Sequence, residues 1–155
     1  MRKTVLFLTV FALVGSLLAA DPTIGKWKLN IEKSKFSPTE PAPKESTLTK
    51  RGLDANQYEI VITGTHTDGS KISMKFTHPQ QGGIEKDLSP GPEDEMFVLT
   101  IMGPGEFIET GLRKGKQFIV YHSVVSKDGK EMRVKVIGTD AKGKPYEGLE
   151  VWEKQ

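Results

Sequence analysis

From residue 26 onward, apolar and polar positions alternate in short runs broken by Gly, Asp and Pro, and helical periodicity is nearly absent. That is the signature of short antiparallel strands. The clearest run is Lys71–Thr77, where Ile72, Met74 and Phe76 alternate with Lys71, Ser73 and Lys75, as in a sheet with one wet face. Similar runs fall at Lys26–Asn30, Glu45–Arg51, Gln57–Gly64, Met96–Met102, Phe107–Arg113, Gln117–Ser126, Glu131–Thr139 and Pro145–Lys154, with a further short strand at Ile84–Leu88. Turn residues sit between them: Asp68-Gly69, Gly103-Pro104-Gly105, Lys114-Gly115-Lys116 and Asp128-Gly129.

The pattern predicts nine or ten strands in consecutive hairpins. A meander of that length has to manage its edges, and closure into an up-and-down barrel abolishes them. A two-sheet sandwich would want longer crossovers than these. The expected fold is therefore all-β, a single up-and-down antiparallel barrel. Residues 31–44 carry Pro38, Pro41 and Pro43 and predict a short extended connection, with room for one helical turn at its start. The least regular stretch, 78–95, is bracketed by Gln80-Gln81-Gly82-Gly83 and Ser89-Pro90-Gly91-Pro92.

The first twenty residues are of another kind. Arg2 and Lys3 precede an apolar run from Val5 to Leu18, and Leu18-Ala19-Ala20 ends it with small residues. This order predicts a secretory signal peptide over 1–20. The run of about 14 apolar residues is short for a spanning helix, which needs roughly 20. The domain is then 21–155, and its expected location is the bacterial periplasm or the extracellular space. No membrane span is expected after signal removal.

Charge and composition narrow the function. The whole chain has 22 Lys+Arg, 20 Asp+Glu and a formal charge of +2. Loss of Arg2 and Lys3 leaves a neutral domain, so nothing points to nucleic acid or to an anionic membrane surface. There is no Cys, which excludes disulfides, thiol catalysis and Cys-based metal sites. The remaining 135 residues are enough to fold on a core alone. No Gly-x-Ser-x-Gly elbow and no phosphate loop occurs. His66, His78 and His122 lie in separate segments without metal-ligand spacing, and Glu93, Asp94 and Glu95 read as a solvated acidic loop. No enzyme activity, cofactor or metal is expected.

Two short patches resemble a known group. Gly25-Lys26-Trp27-Lys28-Leu29 is similar to the Gly-x-Trp opening of lipocalins and fatty-acid-binding proteins, and Val151-Trp152-Glu153-Lys154 resembles the closing strand of the latter. Together with Lys33-Ser34-Lys35-Phe36-Ser37-Pro38 and Pro41-Ala42-Pro43-Lys44, the chain resembles a calycin barrel and the small exported bacterial lipocalin-like proteins without assigned function. The resemblance implies that Trp27 packs across the closed end. It also implies a ligand inside the barrel. Two departures stand out. Glu150 and Trp152 occupy the positions where the fatty-acid carriers place an inward Arg and Tyr, so a fatty-acid carboxylate would be repelled. The two-helix lid has no counterpart in the Pro-rich 31–44.

The expected function is binding of an apolar or amphipathic small molecule in the barrel interior. The expected ligand-binding residues are Trp152, Glu150, His122, Tyr58, Met74, Phe76, Phe97 and Phe118. Period-two alternation puts Glu150 and Gly148 on the same face as Trp152. A carboxylate inside a barrel needs a partner or a raised pKa, and His122, Arg113 and Arg133 are the candidate partners. The alternative is a protein-binding envelope module that acts through the 78–95 loop over a filled core.

Overall fold

The computed structural model describes residues 21–37, 41–89, 94–140 and 142–155. The expected signal segment lies outside them, as do Pro38, Pro90, Gly91, Pro92 and Glu93 of the two Pro-containing connections. Among the described residues the chain is all-β, with no helix. Its strands are β1 (Gly25–Leu29), β2 (Pro43–Gly52), β3 (Gln57–His66), β4 (Lys71–Pro79), β5 (Gly83–Ile84), β6 (Lys86–Asp87), β7 (Glu95–Gly103), β8 (Glu106–Arg113), β9 (Lys116–Val125), β10 (Glu131–Thr139) and β11 (Pro145–Lys154).

They form one antiparallel sheet in the order β5-β7-β8-β9-β10-β11-β1-β2-β3-β4-β6. Apart from β4 and β7, which the short strands β5 and β6 separate, consecutive long strands pair. The chain ends meet as well: β1 lies between β2 and β11, with Trp27 opposite Leu48 and Lys154. The gap between β4 and β7 is crossed by residues 83–87. Gly83 and Ile84 pair with Leu99 and Val98 of β7, whereas Lys86 and Asp87 pair with Thr77 and Phe76 of β4. This strap makes the barrel near-closed. It also explains why there are eleven strands and not ten: the single strand expected at 84–88 divides, its two halves bonding to opposite sides of the gap.

Turn chemistry follows the sequence. Gly69, Gly105, Gly129 and Gly143 all have positive φ in hairpin turns. After Asn30 the chain makes a turn, with the Ser34 amide donating to the Ile31 carbonyl (3.2 Å), in place of a helical turn. Lys35 then bridges to Leu149 and pins the connection to β11.

The core sits at the closed end and along β9–β11. Trp27 is fully buried, its Nε1 donating to the Thr23 carbonyl (2.9 Å), and Leu29, Phe107, Ile119, Met132, Val134, Val136 and Trp152 pack with it. Burial of such side chains contributes roughly 1.5–3 kcal/mol each. The barrel's centre, however, is not filled by them.

Candidate functional site

The interior holds a cavity of about 1120 Å³. Its upper wall is apolar, built from Leu48, Ile60, Ile62, Ile72, Phe97 and Val136, among others. Met74, Ile84 and Met96 stand at the rim beside β4, the strap and β7, and all three are exposed. The floor is polar. It carries Lys50 from β2, His78 from the end of β4, Glu85 from the strap, Glu109 from β8 and Glu150 from β11.

Each of these side chains is placed by strand periodicity. On β8, Phe107 and Glu109 share the inward face, and Glu109 lies opposite Leu99 and Tyr121. On β11, Gly148, Glu150 and Trp152 all line the cavity, which is the face their spacing implies. Glu85 is the residue between the two halves of the strap. Its amide donates to the Phe97 carbonyl (3.0 Å), and its side chain is only 4% exposed.

Three of the floor groups meet. His78 Nε2 lies 3.1 Å from Glu109 Oε1 and 3.6 Å from Glu85 Oε1, and the three donor atoms are all within 4.8 Å of one another. Burial, and then the Glu109 charge, push the Glu85 carboxyl up to about 9. Glu85 Oε1 and His78 Nδ1 are buried without a hydrogen-bond partner. The His78 ring is held instead by Phe76 and Phe107, at centroid distances of 5.4 and 5.5 Å. This is the one group of His and carboxylate side chains, among the described residues, able to hold a metal ion.

The other two charges are held differently. Lys50 is 6% exposed and donates to Thr23 Oγ1 (2.6 Å) and to Asp21 Oδ2 (3.2 Å), with Tyr58 and Phe107 under its ammonium. Burial lowers the Lys50 pKa, a shift that Asp21 opposes. Burial would raise the Asp21 carboxyl, but Thr23 and Lys50 outweigh it and hold the group below its ordinary value. Lys50, Thr23 and Phe107 separate the main cavity from a second one of about 400 Å³ at the closed end. Glu150 accepts from Trp152 Nε1 (3.0 Å), and burial raises its pKa, with a further push from Glu109.

Of the residues expected at a ligand site, Trp152, Glu150, Met74, Phe76 and Phe97 line the main cavity. Tyr58 lines the smaller one and stacks under Lys50. Phe118 and His122 do not reach the interior site. Inward positions on β9 are Ile119, Tyr121 and Ser123, so the even-numbered residues lie on the other face. Phe118 packs edge-on against Phe97 and under Arg113, and His122 pairs with Glu106 at the surface (2.8 Å). The candidate partners of Glu150 are engaged elsewhere too: Arg113 with Glu95 and Arg133 with Glu131. Its partner is Trp152 itself. Reasoning from the sequence misses Lys50, Glu85 and Glu109, and it places His78 at the start of a loop. The inward phase of β8 points to Glu109, but nothing local marks Glu85.

No protein-family model matches the sequence, and no curated protein matches it. Solved structures do match. The wild-type fluorescent protein UnaG aligns at 14% identity, with a TM-score of 0.55 over 86% of this chain and 97% of that one. A single-substitution mutant of UnaG gives 0.59 at 14% identity, over 86% and 96%. Lobster apocrustacyanin A1 aligns at 11% identity with a TM-score of 0.47, over 88% of this chain and 63% of that one. The UnaG likeness and the near-closed antiparallel barrel define a calycin-like fold.

Proposed function

We propose that this chain is an exported binding protein that carries one small apolar or amphipathic molecule inside its barrel. The observation that carries the reading is the cavity of about 1120 Å³, with an apolar wall and a polar floor. Small-molecule sites combine those two features, in volumes of roughly 300–1,000 Å³. Met74, Phe76, Phe97 and Trp152 supply apolar contact, and the Glu150 carboxyl and Lys50 give the molecule's polar end something to meet. The floor suits a hydroxyl, amine or amide better than a free carboxylate, since three Glu side chains converge there. The UnaG likeness supports the fold on which the reading stands. Export rests on residues 1–20 alone, and the absence of Cys favours a bacterial envelope over a disulfide-forming secretory route. The reading assigns no reaction.

The alternative, a protein-binding module acting through 78–95 over a filled core, has less to support it, because the interior holds a cavity. Its recognition loop is also partly structural, because 83–87 closes the wall.

Native mass spectrometry of protein purified from its own host's envelope tests the reading. A reproducible small-molecule adduct, released on denaturation, is the expected result. A clean apo mass, together with failure to take up an environment-sensitive apolar dye, would overturn it.

A further inference from the structure

We propose that His78 Nε2 and the carboxylates of Glu85 and Glu109 form a binding site for one divalent first-row transition-metal ion, of the Zn²⁺ type, at the floor of the barrel. The inference does not depend on an organic cargo. Donors about 2.0–2.1 Å from an ion, at angles between octahedral and tetrahedral, stand roughly 2.9–3.4 Å apart. The Nε2 to Oε1 separations of 3.1 and 3.6 Å match that spacing to within a few tenths of an ångström. The longer of them is too long for a good hydrogen bond. A shared ion would need the pair to close by only a few tenths of an ångström.

A second observation points the same way. The Glu85 side chain is more than nine-tenths buried, and its Oε1 is aimed at His78 Nε2 with no hydrogen-bond partner. Unpartnered buried oxygens are rare because each forfeits its hydration. Two carboxylates and an imidazole with one oxygen unsatisfied lack a cation. Lys50 does not supply it, since its ammonium is bonded to Thr23 and Asp21. Two ionised carboxylates and a divalent ion would leave the three-residue cluster neutral.

The donor set selects the ion class. One imidazole nitrogen with two carboxylates suits Zn²⁺, Co²⁺ or Mn²⁺, whereas Ca²⁺ and Mg²⁺ want oxygen ligands throughout. Three protein ligands from three separate elements leave coordination positions open toward the cavity, as in metal sites that accept an exogenous ligand. The strap then has a second role, because it delivers Glu85 to the ion.

The test uses tag-free, chelator-treated protein, titrated calorimetrically with ZnCl₂ and followed by visible absorption with CoCl₂. Binding of one ion per chain is expected, with the intense Co²⁺ spectrum of a low-coordinate site. Glu85→Gln and His78→Gln should each weaken it about 100-fold or more, since even losing a group that only hydrogen-bonds to a metal's ligand costs about 10–100-fold. Glu85→Gln keeps the shape and puts an uncharged head group where the metal-free protein holds a protonated carboxyl, so it should fold. The surface pair provides the control: His122→Asn and Glu106→Gln should leave affinity unchanged. No binding, a stoichiometry other than one, undiminished affinity in Glu85→Gln, or loss in His122→Asn would overturn the site. Apolar-dye uptake and the native mass, measured on the same samples, keep this result separate from the carrier reading: dye uptake without metal binding sinks the metal site alone, and metal binding with no dye uptake and a clean apo mass sinks the carrier alone.

Discussion

Glu85 binds its proton far more tightly in the folded chain than a carboxyl does in water, about 9 against an ordinary 4.5. Between those values the folded chain keeps a proton that the unfolded chain has released. Stability therefore falls as pH rises across the window: the contribution is complete below the ordinary carboxylate range and is lost as pH passes about 9. Glu150, raised by burial and by Glu109, acts with the same sign. The groups facing Glu85 are Glu109, His78 and, at longer range, Lys50. In metal-free protein the Tm should drop between about pH 5 and pH 9 by at least about 3 °C, the shift that roughly 1 kcal/mol gives at this length. Glu85→Gln should flatten that slope, and an equal slope in the variant would remove Glu85 as its source. The same residue shows where reading from sequence stops. Glu150, Gly148 and Trp152 can be placed together because one strand and a period of two fix them. His78, Glu85 and Glu109 come from three elements and meet only through the barrel's closure. On β9 the alternation is plain but its phase is not, because Phe118, Val120 and Val124 are as apolar as Ile119, Tyr121 and Val125.

Among the elements, the strap carries the greatest consequence for its length. Residues 83–87 close a gap between two nine-residue strands, and they do so with backbone hydrogen bonds to both sides. Gly82 makes the approach geometry work. Its φ is +78°, and a Cβ there would stand 2.9 Å from the Leu99 carbonyl oxygen. Gly82→Ala should therefore cost about 1–3 kcal/mol from backbone strain and lift the strap from β7. Hydrogen exchange at the Glu85 amide, which bonds to the Phe97 carbonyl, should quicken more than at Trp27 or Val151. Uniform quickening would mean global destabilisation and no local role for the strap. The long strands are legible because alternation and turn glycines coincide in them. The split at 83–87 is not, since a two-residue strand has too few positions to show a period, and which neighbour it bonds is decided by the gap.

At the scale of the whole molecule, the barrel gives up packing to keep its interior open. Protein interiors are ordinarily filled to crystal-like density, yet the cavity here is about 1120 Å³ while Trp27, Met132 and Val136 pack normally beside it. An unfilled apolar wall forgoes dispersion contacts that a ligand can restore. The closure itself is legible from the meander, but its contents are not, because an inward row of Ile, Met and Phe serves a solid core and a lined cavity equally well. Val134 separates these outcomes. It is buried, lines the cavity, and lies opposite both Glu150 and Ser123. In a filled core, Val134→Phe would overpack and cost about 1–3 kcal/mol. In this barrel the ring has space to enter, so the Tm should hold or rise while uptake of an apolar dye falls by about tenfold or more, the factor that roughly 1.4 kcal/mol of lost affinity gives. Any molecule that binds the folded chain alone should raise the wild-type Tm with its concentration, and that rise should shrink in Val134→Phe. A variant that loses stability but keeps its dye affinity would place the dye outside the barrel, and the cavity would then have no claim to the ligand.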